Sequence, residues 1–74
     1  MKSFLYSVFD VKSGVYDRPF VFRTDEEAKR GFGDICNDEN HPIGKHPEDF
    51  YICRVGTWDD NKGLLIPEEA PDRS

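Results

Sequence analysis

The chain reads as a small α+β domain: a four-stranded antiparallel sheet with one helix on a face, in the order β-β-α-β-β. Three observations lead there. "FLYSVFDV" (4–11) and "FYICRVGTW" (50–58) are dense in aromatic and β-branched residues, which suit a pleated sheet. Between them, "TDEEAKRGFGDICND" places apolar residues at helical spacing behind an N-cap signal. A chain of 74 residues has room for one domain only.

In the first strand Phe4, Tyr6 and Val8 point one way and Leu5, Phe9 and Val11 the other. A strand apolar on both parities belongs in the middle of a sheet. Gly14 turns the chain, and "PFVFR" (19–23) returns as a short second strand whose Pro19 bars it from a central position. The helix opens at Thr24, with Glu27 three residues on as a capping box and Asp25, Glu26 and Glu27 facing the positive end of its dipole. Ala28, Phe32, Ile35 and Cys36 form its apolar stripe. Gly31 and Gly33 each cost about 1 kcal/mol there, as plain weak propensity or in exchange for close packing. "NDENHPIGKHP" (37–47) is a polar connection, and "KHPEDF" is the sharp turn that starts the third strand. That strand sets Phe50, Ile52 and Trp58 against Tyr51, Cys53 and Val55. "DDNKG" turns at Gly63 into a short edge strand, "LLIP" (64–67), and residues 68–74 are expected as a flexible acidic tail on a domain of residues 1–67. One helix hides one face, so a second oily face is predicted, and a symmetric homodimer is the simplest way to bury it.

The formal charge is −5, with the acidic excess in residues 31–74. Affinity for polyanions comes largely from cations that displace counterions, so any nucleic-acid contact needs a local basic patch. Two cysteines make no secreted framework, "MKSFLYSVFD" lacks the plan of a signal peptide, and no apolar run approaches a membrane span. The expectation is a cytoplasmic protein with reduced thiols and no membrane partner.

The candidate chemistry is sparse. Cys36, His41, His46 and Cys53 offer zinc-binding residue types, but the spacing is loose and both cysteines fall in apolar positions. His46, Glu48 and Asp49 have the composition of an acid–base set, yet a turn led by Pro47 explains them. Asp59 and Asp60 are adjacent rather than alternate, which does not suit a calcium loop. No phosphate-binding or nucleophile motif is present. The reading is a non-enzyme with no catalytic residue, metal or cofactor. One basic set stands out: Lys12, Arg18, Arg23, Lys29 and Arg30, interleaved with Tyr16 and Phe20 as a single-strand binder would want. Against it, Asp25–Lys29 and Glu26–Arg30 are spaced as helical ion pairs, which would neutralise two of the five cations.

"YSVFDVKSGVYDRPF", "FGDICND" and "KHPEDFYICRVGTWDDNKGLLIP", in that order, resemble the small non-structural protein of gokushoviruses, the microvirus-group phages with single-stranded circular DNA. The similarity runs from about Tyr6 to Pro67. Its most specific parts are Phe32-Gly33-Asp34, Asn37-Asp38, His46-Pro47-Glu48-Asp49-Phe50, and Asp59-Asp60 followed by Gly63. The resemblance implies a phage protein of the host bacterial cytoplasm, absent from the finished capsid. It also implies a part in single-stranded genome synthesis or packaging, with DNA binding. It carries over no catalytic residue. The expected contacts are Lys12, Tyr16, Arg18, Arg23, Lys29 and Arg30 to single-stranded DNA. The alternative is an adaptor for phage or host replication and scaffolding proteins that never touches DNA, its acidic second half facing a basic partner.

Overall fold

A computed structural model describes residues 1–73 and has the expected α+β architecture. β1 (Lys2–Asp10) runs antiparallel to β4 (Phe50–Asp59), and the two form the centre of the sheet. β2 (Val15–Tyr16) and β3 (Phe20–Phe22) both pair with the outer edge of β1, and β5 (Leu64–Arg73) pairs with the outer edge of β4. The expected second strand is therefore two short pieces, separated at Pro19, which has no amide to give the ladder. Gly14 and Gly63 take φ of 73° and 65° at the two hairpin turns, the left-handed region open to glycine.

Helix α1 (Asp25–Cys36) begins as its capping box dictates: the Thr24 hydroxyl accepts the Glu27 N–H at 3.2 Å. Ala28 is buried against Tyr6 and Ile52, with Phe4, Phe20, Phe22 and Phe32 packed around them. A Cβ on Gly31 would lie 3.0 Å from the Phe22 ring, so this glycine lets the helix sit close on β3. The expected Asp25–Lys29 and Glu26–Arg30 pairs do not form. Asp25 instead accepts the Tyr6 hydroxyl at 2.5 Å and lies 3.6 Å from the Arg54 guanidinium.

The 37–47 connection contains an unexpected short helix, α2 (Pro42–Lys45). Pro42 occupies its first turn, and the His41 ring accepts the Ile43 N–H at 3.1 Å. Pro47–Asp49 is a single 3-10 turn leading into β4, as "KHPEDF" predicts.

Two departures have local causes. Leu5 lies opposite Gly56 and Tyr6 opposite Arg54, so Val55 is an extra residue in β4. That bulge reverses the parity of the residues beyond it, and Trp58, expected beside Ile52, lies on the face of Tyr51 and Cys53. Residues 68–73, expected as a tail, continue β5. Arg54 holds them: its guanidinium bonds Glu68 and Asp72, each at 3.2 Å, and stacks 5.2 Å from the Phe4 ring centre. Ser74 of the expected tail lies outside the described residues.

Both helices lie on the Tyr6 side of the sheet. The far face carries Leu5, Phe9, Tyr16, Val21, Tyr51, Trp58 and Leu65, with Val21 55% and Leu65 57% exposed. The expected second oily face is present. No helix among the described residues is long and apolar enough to cross a membrane.

The Tyr6–Asp25 bond makes stability depend on pH at the alkaline end. Burial, then the hydrogen bond to Asp25, raise the Tyr6 phenol well above its usual 10. The folded state therefore keeps a proton that the unfolded chain releases. Stability is full below pH 10 and falls above it, by about 1.4 kcal/mol per pH unit at most. Tyr6→Phe should cost about 1 kcal/mol at neutral pH and flatten that alkaline fall, as denaturant midpoints between pH 8 and 11 would show.

Candidate nucleic-acid interface

Three of the five predicted cations, Lys12, Arg18 and Arg23, lie along the β2–β3 edge, and local chemistry explains its shape. The Asp10 carboxylate accepts the N–H groups of Lys12 and Ser13, at 2.9 and 3.4 Å, which fixes the tip of the first turn. Tyr16 then stacks on Phe9, the ring centres 4.6 Å apart, and Tyr51 adds a third ring 5.2 Å from Phe9. Partial burial, with smaller contributions from Cys53 and Tyr51, raises the Tyr16 phenol. Past Tyr16, the Asp17 N–H bonds Val8 O at 2.9 Å and the Ser7 hydroxyl donates to Asp17 O at 2.6 Å. These two bonds pin the edge just before Arg18.

Two adjoining hollows open beside this segment, between the edge and the helices. The first, about 250 Å³, is lined by Phe20, Phe22, Phe32 and Ile35, with Arg18 and His41 in its wall. The second, about 360 Å³, takes in Tyr16, Val15, Pro42 and Phe50. Val8, Asp17, His41 and Ile43 line both. Because Nδ1 of His41 accepts the Ile43 amide, the neutral ring carries its proton on Nε2 and is a donor there. The result is a groove of aromatic walls with a guanidinium and an imidazole N–H along it, while the Tyr16 ring lies on Phe9 on the far face of the sheet.

The six predicted residues do not form one cluster. Arg18 lines the first hollow and Tyr16 the rim of the second, its ring packed on Phe9, and Lys12 is exposed at the turn before them. Arg23 lies at the other end of the edge, in a hollow with Met1, Lys2, Ser3, Trp58 and Asp60, where it helps hold the Asp60 carboxyl below its usual range after the stronger pull of the N-terminal ammonium. Lys29 and Arg30 are exposed on α1, line neither hollow, and among the described residues are not ion-paired. Phe22, Phe32 and His41 escape sequence reasoning. The phenylalanines read as ordinary core, and nothing in the polar connection marks His41 as a cap that faces a cavity.

The sequence's metal candidates separate. Cys36 and Cys53 are free thiols, and burial raises the Cys36 thiol. Among the described residues, the one group of three potential ligands is His46, Glu48 and Asp49, within 4.8 Å of one another around the 3-10 turn. His46 and Glu48 are each 70% exposed and 3.8 Å apart, a spacing that the turn imposes by itself.

The comparisons with known proteins agree with the resemblance drawn from the sequence. The profile of the phage ORF5 protein family matches residues 3–73. Protein ORF5 of Chlamydia phage 1 is 34% identical over 74 residues, covering 95% of this chain and 77% of that protein. No solved structure matches the chain. The chain is a gokushovirus-type viral protein and belongs to the phage ORF5 protein family.

Proposed function

We propose that this phage protein acts without catalysis in the synthesis or packaging of single-stranded viral DNA in the host bacterial cytoplasm. It holds single-stranded DNA weakly along the β2–β3 edge. The observation that carries the reading is Arg18 at a groove walled by Phe20, Phe22 and Phe32. An unstacked base finds aromatic surface in such a groove, while exposed cations track the backbone. Lys12 and Arg18 are the near phosphate partners, and Lys29 and Arg30 extend the positive surface on the helix side. The net charge of −5 keeps the affinity low, and the cation–phosphate contacts make it salt-dependent.

Fluorescence anisotropy with a labelled thymidine oligonucleotide at two salt concentrations tests this. Binding is expected at low salt and should weaken as salt rises. Arg18→Glu should lower affinity across all sequences and reduce the salt slope by about one. Absence of binding at low salt, or binding indifferent to salt, overturns the reading. The adaptor role would then stand instead, and a basic phage or host protein should co-purify, drawn by Glu68, Glu69 and Asp72 on the opposite edge.

A further inference from the structure

We infer that the helix-free face of the sheet is closed by a second copy of this chain, in an aligned two-sheet sandwich whose two-fold axis runs parallel to β1 and β4. The face is chemically suited to burial. Leu5, Val21, Trp58 and Leu65 occupy one end and the Phe9–Tyr16–Tyr51 stack the other. Val21, Trp58 and Leu65 are 55, 36 and 57% exposed in the single chain. The size is sufficient as well. β1, β4 and β5, of nine or ten residues each, with the short β2 and β3 together forming a fourth row, give roughly 500 Å² of face per copy at about 4.8 Å between strands, or about 1,000 Å² in total, the low end for a specific interface.

Charge decides both the occupant and the axis. The β2–β3 edge, residues 12–23, carries Lys12, Arg18 and Arg23 against Asp17 alone. The opposite edge, β5 at residues 64–73, carries Glu68, Glu69 and Asp72 against Arg73 alone. A two-fold axis along the central strands turns one sheet over and lays the basic edge of each copy on the acidic edge of the other. An axis running across the strands would bring like edges together. The chain is thus its own complement in one orientation. Sheets packed this way cross at about 30°, and the shared layer is a second core. Arg54 already engages Glu68 and Asp72 within its own chain. Glu69 is not ion-paired among the described residues, so Arg23 of one copy and Glu69 of the other are the pair to test. Trp58 lies on β4 near the axis, where it meets its own counterpart.

Light scattering coupled to size exclusion, over a hundredfold range of protein concentration, reads the assembly. The expected result is a dimer that dissociates on dilution, with Trp58 emission moving to longer wavelength as it does. Leu65→Glu, at a side chain exposed in the single chain, should weaken the dimer about tenfold or more while leaving the far-ultraviolet dichroism unchanged. Arg23→Glu and Glu69→Lys should each weaken it alone, and an equimolar mixture of the two variants should regain the dimer as a heterodimer. A monomer at every concentration overturns the proposal, as does a dimer indifferent to Leu65→Glu. Failure of the mixture to recover overturns the axis. The charge-exchange arm stays informative if Leu65→Glu does not fold.

Discussion

Gly44→Ala is expected to destabilise the domain by about 2–3 kcal/mol. In a chain of this size that corresponds to a drop of about 10–20 °C in Tm, readable by thermal dichroism. The reason is steric. A Cβ at Gly44 would fall 1.8 Å from the carbonyl oxygen of Asp38 and 2.6 Å from its carbonyl carbon, with Ile35 O at 3.0 Å. These are backbone atoms, so no side chain can swing aside. Nor is the carbonyl free to turn away. Asp38 O accepts the His41 N–H at 3.0 Å, and Ile35 O accepts the Asp38 N–H at 3.1 Å as the end of α1 is closed. On the other side, α2 is anchored by buried Ile43 and by the His41 ring on the Ile43 amide. Relief requires one of those anchors to break. Gly33→Ala is the matched control. Its Cβ would meet nothing within 4 Å, and alanine is the better helix former, so that variant should gain up to about 1 kcal/mol.

Arg54→Met should cost about 2 kcal/mol and loosen one region more than the rest. Arg54 is the one cation among Asp25, Glu68 and Asp72, and its loss leaves three carboxylates facing one another. Its side chain is 26% exposed and its partners are 31–62% exposed, so solvent screens the pairs and the loss stays below that of a fully buried network. Methionine retains part of the packing on Phe4, which isolates the electrostatic share. Urea midpoints give the global cost. Amide exchange gives the local one: residues 68–72 should lose protection first, because Arg54 bridges them to the middle of the sheet. Arg54→Lys should rescue little, since a point charge cannot hold three acceptors in a fork.

The elements that sequence reading finds are those whose signals are local. Thr24 and Glu27 announce the start of α1, Gly14 and Gly63 mark turns that demand positive φ, and Pro47 with two acids gives the single turn before β4. What it misses depends on contacts across the chain. Glu68 to Asp72 look like a solvated tail until Arg54, more than a dozen residues away, is placed beside them. Trp58 changes faces because Val55 bulges out where β4 pairs with β1, next to Gly56, whose lack of a Cβ lets Ile66 O pass close. The candidate site shows the same division. Tyr16 and Arg18 are visible as an aromatic and a cation near each other in sequence. The groove they flank needs Phe32 from the helix and His41 from a connection whose spacing carries no period.

β5 is the outermost long strand, and an outermost strand is where a sheet recruits another chain by extending its ladder. Pro67 and Pro71 fall within it and supply no amide hydrogens. A neighbour aligning there finds the register interrupted twice within five residues. Edge-to-edge extension of the ladder into fibrils is thereby hindered, and association between copies is steered from that rim toward the faces of the sheet.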